Sequence, residues 1–258
     1  MHILVSGGLS RIGRDIIDLF LYNNYHVSVI DKEMNRPSTL KDNINYYFLD
    51  LRDLSKLPSV VSQILTEAKS PITGILNLAR SPRNYNNVSI TDKEYIINWQ
   101  DSFAIQSIAP YVIAKFVAES KLNGGKLSSV VNISSILSKQ VSFAEGVEYH
   151  SAKAALDAVT RYSAVELGRL GVNVNSILPG FVERKNGEDY SANSSLPNWF
   201  SETRVSNEGL DSVEIANLVV YLLGPLSRAI SGQSLILDKG YSLQETIGVI
   251  SRSGKQIN

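Results

Sequence analysis

The sequence predicts an α/β protein built on a mostly parallel sheet with helices on both faces. Short runs rich in β-branched residues alternate along the chain with longer segments of helical period, the pattern of repeated strand-helix-strand units. The first such run, Ile3-Leu4-Val5, leads directly into "SGGLSRIG" and then a helix-like "RDIIDLFLY". The chain has 258 residues, 43% of them hydrophobic, enough for one substantial core, so a single domain over residues 1–258 is expected.

Taken in order, the expected strands are residues 2–6, 26–30, 46–50, 73–78, 128–134, 172–178 and 234–237. The segments 11–23, 55–68, 96–120, 149–169 and 211–223 between them have helical spacing; in "DAVTRYSAVEL" apolar residues recur every three or four positions. One polar stretch, 184–209, contains Trp199 and Phe200 and is too long for an ordinary connection, which predicts a lid-like substrate loop.

Composition removes several classes of function. Acids and bases number 25 each, with no basic block, so no nucleic-acid partner is expected. Cysteine is absent, which excludes disulfides and thiolate catalysis and fits a reducing compartment. His2, His26 and His150 lie far apart in sequence, so no metal site is expected and each histidine reads as structural or solvent-facing. No apolar stretch approaches the roughly 18 residues needed to cross a bilayer, and no signal segment opens the chain, so the expected location is the cytoplasm.

The turn from Ser6 to Gly13 reads as a dinucleotide site. Gly7 permits a tight turn and Gly13 a close helix-strand packing, while backbone N–H groups and the helix N-terminus face a pyrophosphate. Asp31 ends the second strand 18 residues beyond Gly13, where a carboxylate accepts hydrogen bonds from the adenosine ribose and repels a 2′-phosphate. NAD is therefore the expected cofactor, with NADP the alternative because Lys32 adjoins the aspartate.

A second group of residues carries chemistry. The strand "SSVVNISS" ends at Ser135, and fourteen residues later "YHSAK" places Tyr149 and Lys153 four apart, on one face of a helix. Free tyrosine, with a pKa near ~10, is a poor base at neutral pH, but a neighbouring cation favours its phenolate. Tyr149 can then exchange a proton with a carbonyl or alcohol oxygen that the Ser135 hydroxyl also holds.

Gly7, Gly13, Asp31, Asp50-Leu51 in "YFLDL", Asn77 and Ala79 in "NLAR", Ser135, Tyr149, Lys153, and Asn175, Pro179 and Gly180 in "VNVNSILPG" occur in one order over nearly the whole chain. In that order the sequence resembles the short-chain dehydrogenase/reductase family, and "ISGQSLILDKG" is similar to the family's closing strand and turn. The resemblance implies a three-layer, doubly wound Rossmann fold with a seven-stranded, mostly parallel sheet. It implies an NAD(P) cofactor held by Gly7, Arg11, Ile12, Gly13, Asp31, Asp50, Leu51, Asn77, Ala79, Lys153, Pro179 and Gly180, with Asp50-Leu51 against the adenine. It further implies a ketone and secondary alcohol interconverted by hydride transfer, with Ser135, Tyr149, Lys153 and Gln106 catalytic, and pairing through the helices 96–120 and 149–169 into a homodimer or homotetramer.

Five residues depart from the family pattern. Arg11 replaces the middle glycine of the turn, Leu78 and Arg80 replace residues of "NNAG", Gln106 stands where the family has an asparagine, and Arg184 where it often has a threonine. Arg11 loses the freedom of glycine, yet its guanidinium has the donors to reach a phosphate. Arg80 and Arg184 at two strand ends suggest an anionic carbonyl substrate. The competing readings are a catalytically impaired dinucleotide-binding relative acting as a partner or sensor, and a ketoreductase acting on carrier-bound acyl chains.

Overall fold

The computed structural model describes residues 1–32, 43–82, 89–183, 205 and 209–245, apart from the side chains of residues 122 and 123. Seven strands, β1 (His2–Ser6), β2 (His26–Asp31), β3 (Ile44–Phe48), β4 (Gly74–Asn77), β5 (Ser129–Ile133), β6 (Asn173–Pro179) and β7 (Ser234–Leu237), form one sheet in the order β3-β2-β1-β4-β5-β6-β7. Every neighbouring pair is parallel. The sheet is thus doubly wound, with its strand order reversing between β1 and β4, and the crevice beyond the carboxyl ends of those two strands is where such folds bind ligands.

Among the described residues six α-helices flank the sheet: α1 (Arg11–Tyr22), α2 (Leu57–Glu67), α3 (Lys93–Phe103), α4 (Ala109–Glu119), α5 (Val147–Gly168) and α6 (Ser212–Leu223). Alternate side chains of each strand point to opposite faces, which divides the core in two. Leu4, Ile75, Val130 and Val174 pack with Ile64 of α2, Ile113 and Val117 of α4 and Leu167 of α5. Ile3, Val5, Leu76, Val131 and Ile177 pack with Ile16 and Phe20 of α1 and Ile215, Val219 and Leu222 of α6.

Two elements differ from the sequence expectation. The third strand lies at 44–48, not 46–50, because its ladder is set by β2, with Ile44 opposite Val27 and Phe48 opposite Asp31. Leu49 and Asp50 therefore fall beyond the strand end. The expected helix over 96–120 is two helices, α3 and α4, joined by a π-helical turn at Ala104–Ile108. Pro110 has no N–H to offer the carbonyl of Gln106, so a regular α-helical ladder is broken at that turn. Most of the expected lid, and Arg184 with it, lies outside the described residues.

Candidate active site

The turn after β1 is a cradle that admits no side chain at its first glycine. Gly7 has φ +78°, and a Cβ there would stand 2.5 Å from Cα of Ala79. Its N–H donates to the Ile30 carbonyl at 2.8 Å, and the Leu78 N–H donates to the Ser6 carbonyl at 3.0 Å, so the turn lies against the segment that follows β4. Ser10 caps α1, accepting from the Gly13 N–H at 3.2 Å and donating to the Gly7 carbonyl at 2.9 Å. A Cβ at Gly13 would come 2.6 Å from the Gly8 carbonyl oxygen. Ile12 is half-buried against the α1 face of the core.

Arg11 occupies the first position of α1, and among the described residues only Asn24 and Lys239 combine a side chain with positive φ. The backbone at residue 11 therefore has no need of glycine. The Arg11 guanidinium donates through Nη1 to the Glu183 carbonyl at 3.1 Å, joining the turn to the segment beyond β6.

Asp31 stands at the end of β2, where its two carboxylate oxygens accept from the N–H groups of Leu9 and Lys32 at 2.9 and 2.8 Å. The carboxylate thereby fixes the glycine turn to β2. Asp50 is gripped by Arg52, whose Nε and Nη2 both donate to Oδ2, at 2.9 and 2.6 Å; these hydrogen bonds first, and the guanidinium charge after them, hold the carboxyl below its usual range. Leu51 is buried. Nothing in the sequence motifs pointed to Arg52, whose importance depends on the fork it makes two residues from Asp50.

At the sheet centre, a buried row of hydrogen bonds crosses three strands to α5. Ser6 Oγ donates to Asn77 Oδ1, Asn77 Nδ2 to Asn132 Oδ1, and Asn132 Nδ2 to Thr160 Oγ1, at 3.2, 2.8 and 2.9 Å. Asn77 thus pins the carboxyl end of β4, and Ala79 beyond it faces the glycine turn. Asn175 is structural, donating to the Ile230 carbonyl and accepting from the Gln233 N–H. Gly180, after Pro179, turns the chain past β7, where a Cβ would stand 2.6 Å from Asp238 Cβ.

Ser135 follows β5, and its Oγ accepts from the Leu137 N–H at 3.1 Å to start a short 3-10 turn. Tyr149 and Lys153 lie in the first turns of α5, with Lys153 Nζ 5.8 Å from the Tyr149 ring centroid. Lys153 is 3% exposed and donates to the Ile133 carbonyl at 2.7 Å. Burial above all, then the charge of Arg80, brings its ammonium pKa down to about 7 against the pull of Asp157. Arg80 lies with its guanidinium carbon 4.6 Å from the Tyr149 ring centroid and pairs with Glu145 at 2.7 Å.

Gln106 sits in the π turn, 0% exposed. Its Nε2 donates to Ser81 Oγ at 3.1 Å, and Ser81 in turn bonds Ser102. Its Oε1 is one of three buried side-chain atoms without a hydrogen-bond partner among the described residues. Arg80 and Lys153 thus both lie near the Tyr149 ring, Lys153 ties α5 to the end of β5 two residues before Ser135, and Gln106 is anchored to Ser81.

A parallel sheet with a glycine turn at its switch point is the architecture of the dinucleotide-dependent oxidoreductases. A sequence profile described as enoyl-(acyl carrier protein) reductase matches residues 11–242. L-xylulose reductase of Caenorhabditis elegans is 28% identical over 245 residues, covering 93% of this chain and 95% of its own length. 3-Oxoacyl-[acyl-carrier-protein] reductase FabG of Chlamydia pneumoniae is 22% identical over 245 residues, covering 92% of this chain and 95% of its own. A solved structure of 4-hydroxyisoleucine dehydrogenase complexed with NADH superposes with a TM-score of 0.82 at 23% identity, covering 95% of this chain and 99% of that one. ElxO with NADP bound superposes with a TM-score of 0.77 at 23% identity, covering 94% of this chain and 99% of that one. The chain belongs to the short-chain dehydrogenase/reductase family of NAD(P)-dependent oxidoreductases.

Proposed function

We propose that the protein interconverts a small ketone and its secondary alcohol, with Tyr149 as the proton-transfer group. The observation that carries this reading is that Lys153, with its Nζ 5.8 Å from the Tyr149 ring centroid, donates to the Ile133 carbonyl at the carboxyl end of β5, two residues before Ser135. NAD is the favoured cofactor, because the Asp31 carboxylate stands at the end of β2, where a 2′-phosphate would meet its charge. The turn fits such a cofactor: at Gly7 the space that a Cβ would fill is already closed by Ala79, and the N-terminus of α1 opens beside it.

In this reading Gly7, Arg11, Ile12 and Gly13 border the pyrophosphate, Asp31 accepts from the adenosine ribose, and Asp50 and Leu51 flank the adenine. Asn77, Ala79, Pro179 and Gly180 line the nicotinamide end, with Lys153. The bound nicotinamide supplies the hydride donor or acceptor. Tyr149 Oη gives its proton to the carbonyl oxygen in reduction and takes one from the alcohol in oxidation. The Ser135 hydroxyl holds that same oxygen, and Lys153 favours the ionised phenol whenever it carries its charge. Gln106 supports the site through Ser81 and the π turn.

Glu145 pairs with Arg80, one of the two arginines that suggested an anionic substrate, so an uncharged carbonyl compound is the simpler expectation. The profile's description and the FabG relative favour, as a second reading, a carbonyl carried on an acyl chain. A single domain in the cytoplasm, assembled as a homodimer or homotetramer, completes the proposal. The exposed Ile97, Ile108, Tyr162 and Val165 on the helices concerned support the assembly, and no described helix is long and apolar enough to cross a membrane.

The test is a panel of small ketones and secondary alcohols with NADH, NADPH and their oxidised forms, followed by nicotinamide absorbance, for the parent and Tyr149→Phe. Turnover in the parent that falls by ~10³-fold or more in Tyr149→Phe, with NAD(P)H binding retained, is expected. Near-parental turnover in Tyr149→Phe would overturn the assignment.

A further inference from the structure

Arg80 and Glu145 form an ion pair between two parts of the chain that the sequence gives no reason to join. Arg80 follows β4, and Glu145 immediately precedes Gly146, the N-cap of α5, so their 2.7 Å contact ties the end of a central strand to the start of the helix that carries Tyr149. The Glu145 side chain is only 8% exposed and the Arg80 side chain 34%. A carboxylate so shielded needs a partner, and losing it would leave a desolvated charge. The guanidinium carbon of the same arginine lies 4.6 Å from the Tyr149 ring centroid, within the range of a cation-π contact.

We propose that Arg80, held by Glu145, is a positioning residue that fixes the Tyr149 ring and keeps a permanent positive charge against it. The proposal rests on the reading of Tyr149 as the proton-transfer group. Lys153 is a second cation near the phenol among the described residues, but it is buried and can lose its proton, whereas a guanidinium does not. Among the described residues, further charged or titratable groups near the ring include Glu145 from the loop entering α5, His150, whose ring centroid is 6.3 Å from that of Tyr149, and Asp157, which acts on Lys153. Glu145 offsets part of the Arg80 charge, but it grips Nη2, while the centre of the guanidinium stays over the ring. Arg80 thus contributes through the phenol and not by seizing a substrate anion.

The experiment is an alkaline titration of Tyr149 in protein labelled with carbon-13 at the tyrosine ζ carbon, its signal among the 12 tyrosines identified by its loss in Tyr149→Phe. Arg80→Gln should raise the Tyr149 midpoint by about one pH unit, a roughly tenfold smaller phenolate population at a given pH. Arg80→Lys, which keeps the charge, should recover at least half of that shift. Unchanged signals from the other tyrosines establish that each variant is folded, and Arg80→Met replaces Arg80→Gln should the latter not fold. The proposal is overturned by a midpoint in Arg80→Gln within about 0.2 unit of the parent, or by an equal displacement in Arg80→Lys. It is also overturned if the parent's Tyr149 stays protonated where its exposed tyrosines ionise. Turnover retained by Tyr149→Phe would instead end the proton-transfer reading and leave this titration standing.

Discussion

The ammonium of Lys153 donates to the carbonyl of Ile133, the last residue of β5, across 2.7 Å. One hydrogen bond therefore anchors the helix that carries Tyr149 to the strand that delivers Ser135. It also holds an ionisable group in the interior, where the charged form is disfavoured by lost solvation.

That burial predicts a pH dependence of stability with a definite sign. With its pKa lowered from 10.5 to about 7, folded Lys153 has shed its proton over a range in which the unfolded chain still binds one. Stability attributable to this group therefore rises with pH between those two values and is flat above and below them. Urea unfolding of the parent and Lys153→Met across that range should show the parent gaining relative to the variant as pH rises. A constant difference would mean that Lys153 is charged in the folded protein.

Gly7→Ala should destabilise the protein by at least ~2 kcal/mol, combining a strained positive φ with the approach of the new methyl group to Ala79. It should also weaken NAD(P)H binding, because relief of the contact must move the turn. Arg11→Gly, by contrast, should leave stability unchanged or slightly lower, since residue 11 is already helical. Denaturant midpoints and nucleotide fluorescence check both, and a stable Gly7→Ala with parental affinity would remove the glycine turn from the binding site.

Asp31→Ala should narrow the difference in affinity between NADH and NADPH. It should also cost about 1 kcal/mol of stability, because the N–H groups of Leu9 and Lys32 lose their acceptor. Fluorescence titration with both nucleotides measures the first effect. Tighter binding of NADPH than NADH by the parent would contradict the cofactor assignment and direct attention to Lys32 or Arg11.

His2 predicts an acid limb. Its ring lies buried between the Ser70 carbonyl and the Ser28 hydroxyl, and burial above all lowers its pKa from 6.5. Below pH 6.5 the unfolded histidine takes up a proton before the folded one does, so stability should fall as the solution is acidified through that value. His2→Gln should be less stable near neutrality yet lose less on acidification. Parallel acid profiles for the two proteins would show that the buried ring plays no part.

The seven strands, their order along the chain and the glycine turn were legible because each depends on neighbours in sequence. A continuous apolar run marks Ile3-Leu4-Val5 as a buried strand, and the spacing of Tyr149 and Lys153 places both on one face of a helix wherever that helix lies. The same local reading ran 96–120 together as one helix, since apolar period alone does not register what a proline removes from the ladder one turn before it.

What the tertiary structure decided were the contacts between residues distant along the chain. Arg11 could be read as a lost glycine or as a phosphate contact, and only the fold showed that its backbone is helical and that its guanidinium meets the Glu183 carbonyl. From sequence the charge of Arg80 suggested a substrate anion; folding brings Glu145, 65 residues away, to within 2.7 Å of it and the Tyr149 ring against it. Hydrophobic period is set by the covalent geometry of a strand or helix and so is written in the sequence. The partner of a charged side chain depends on which elements the sheet order sets side by side, and no local pattern encodes that distance.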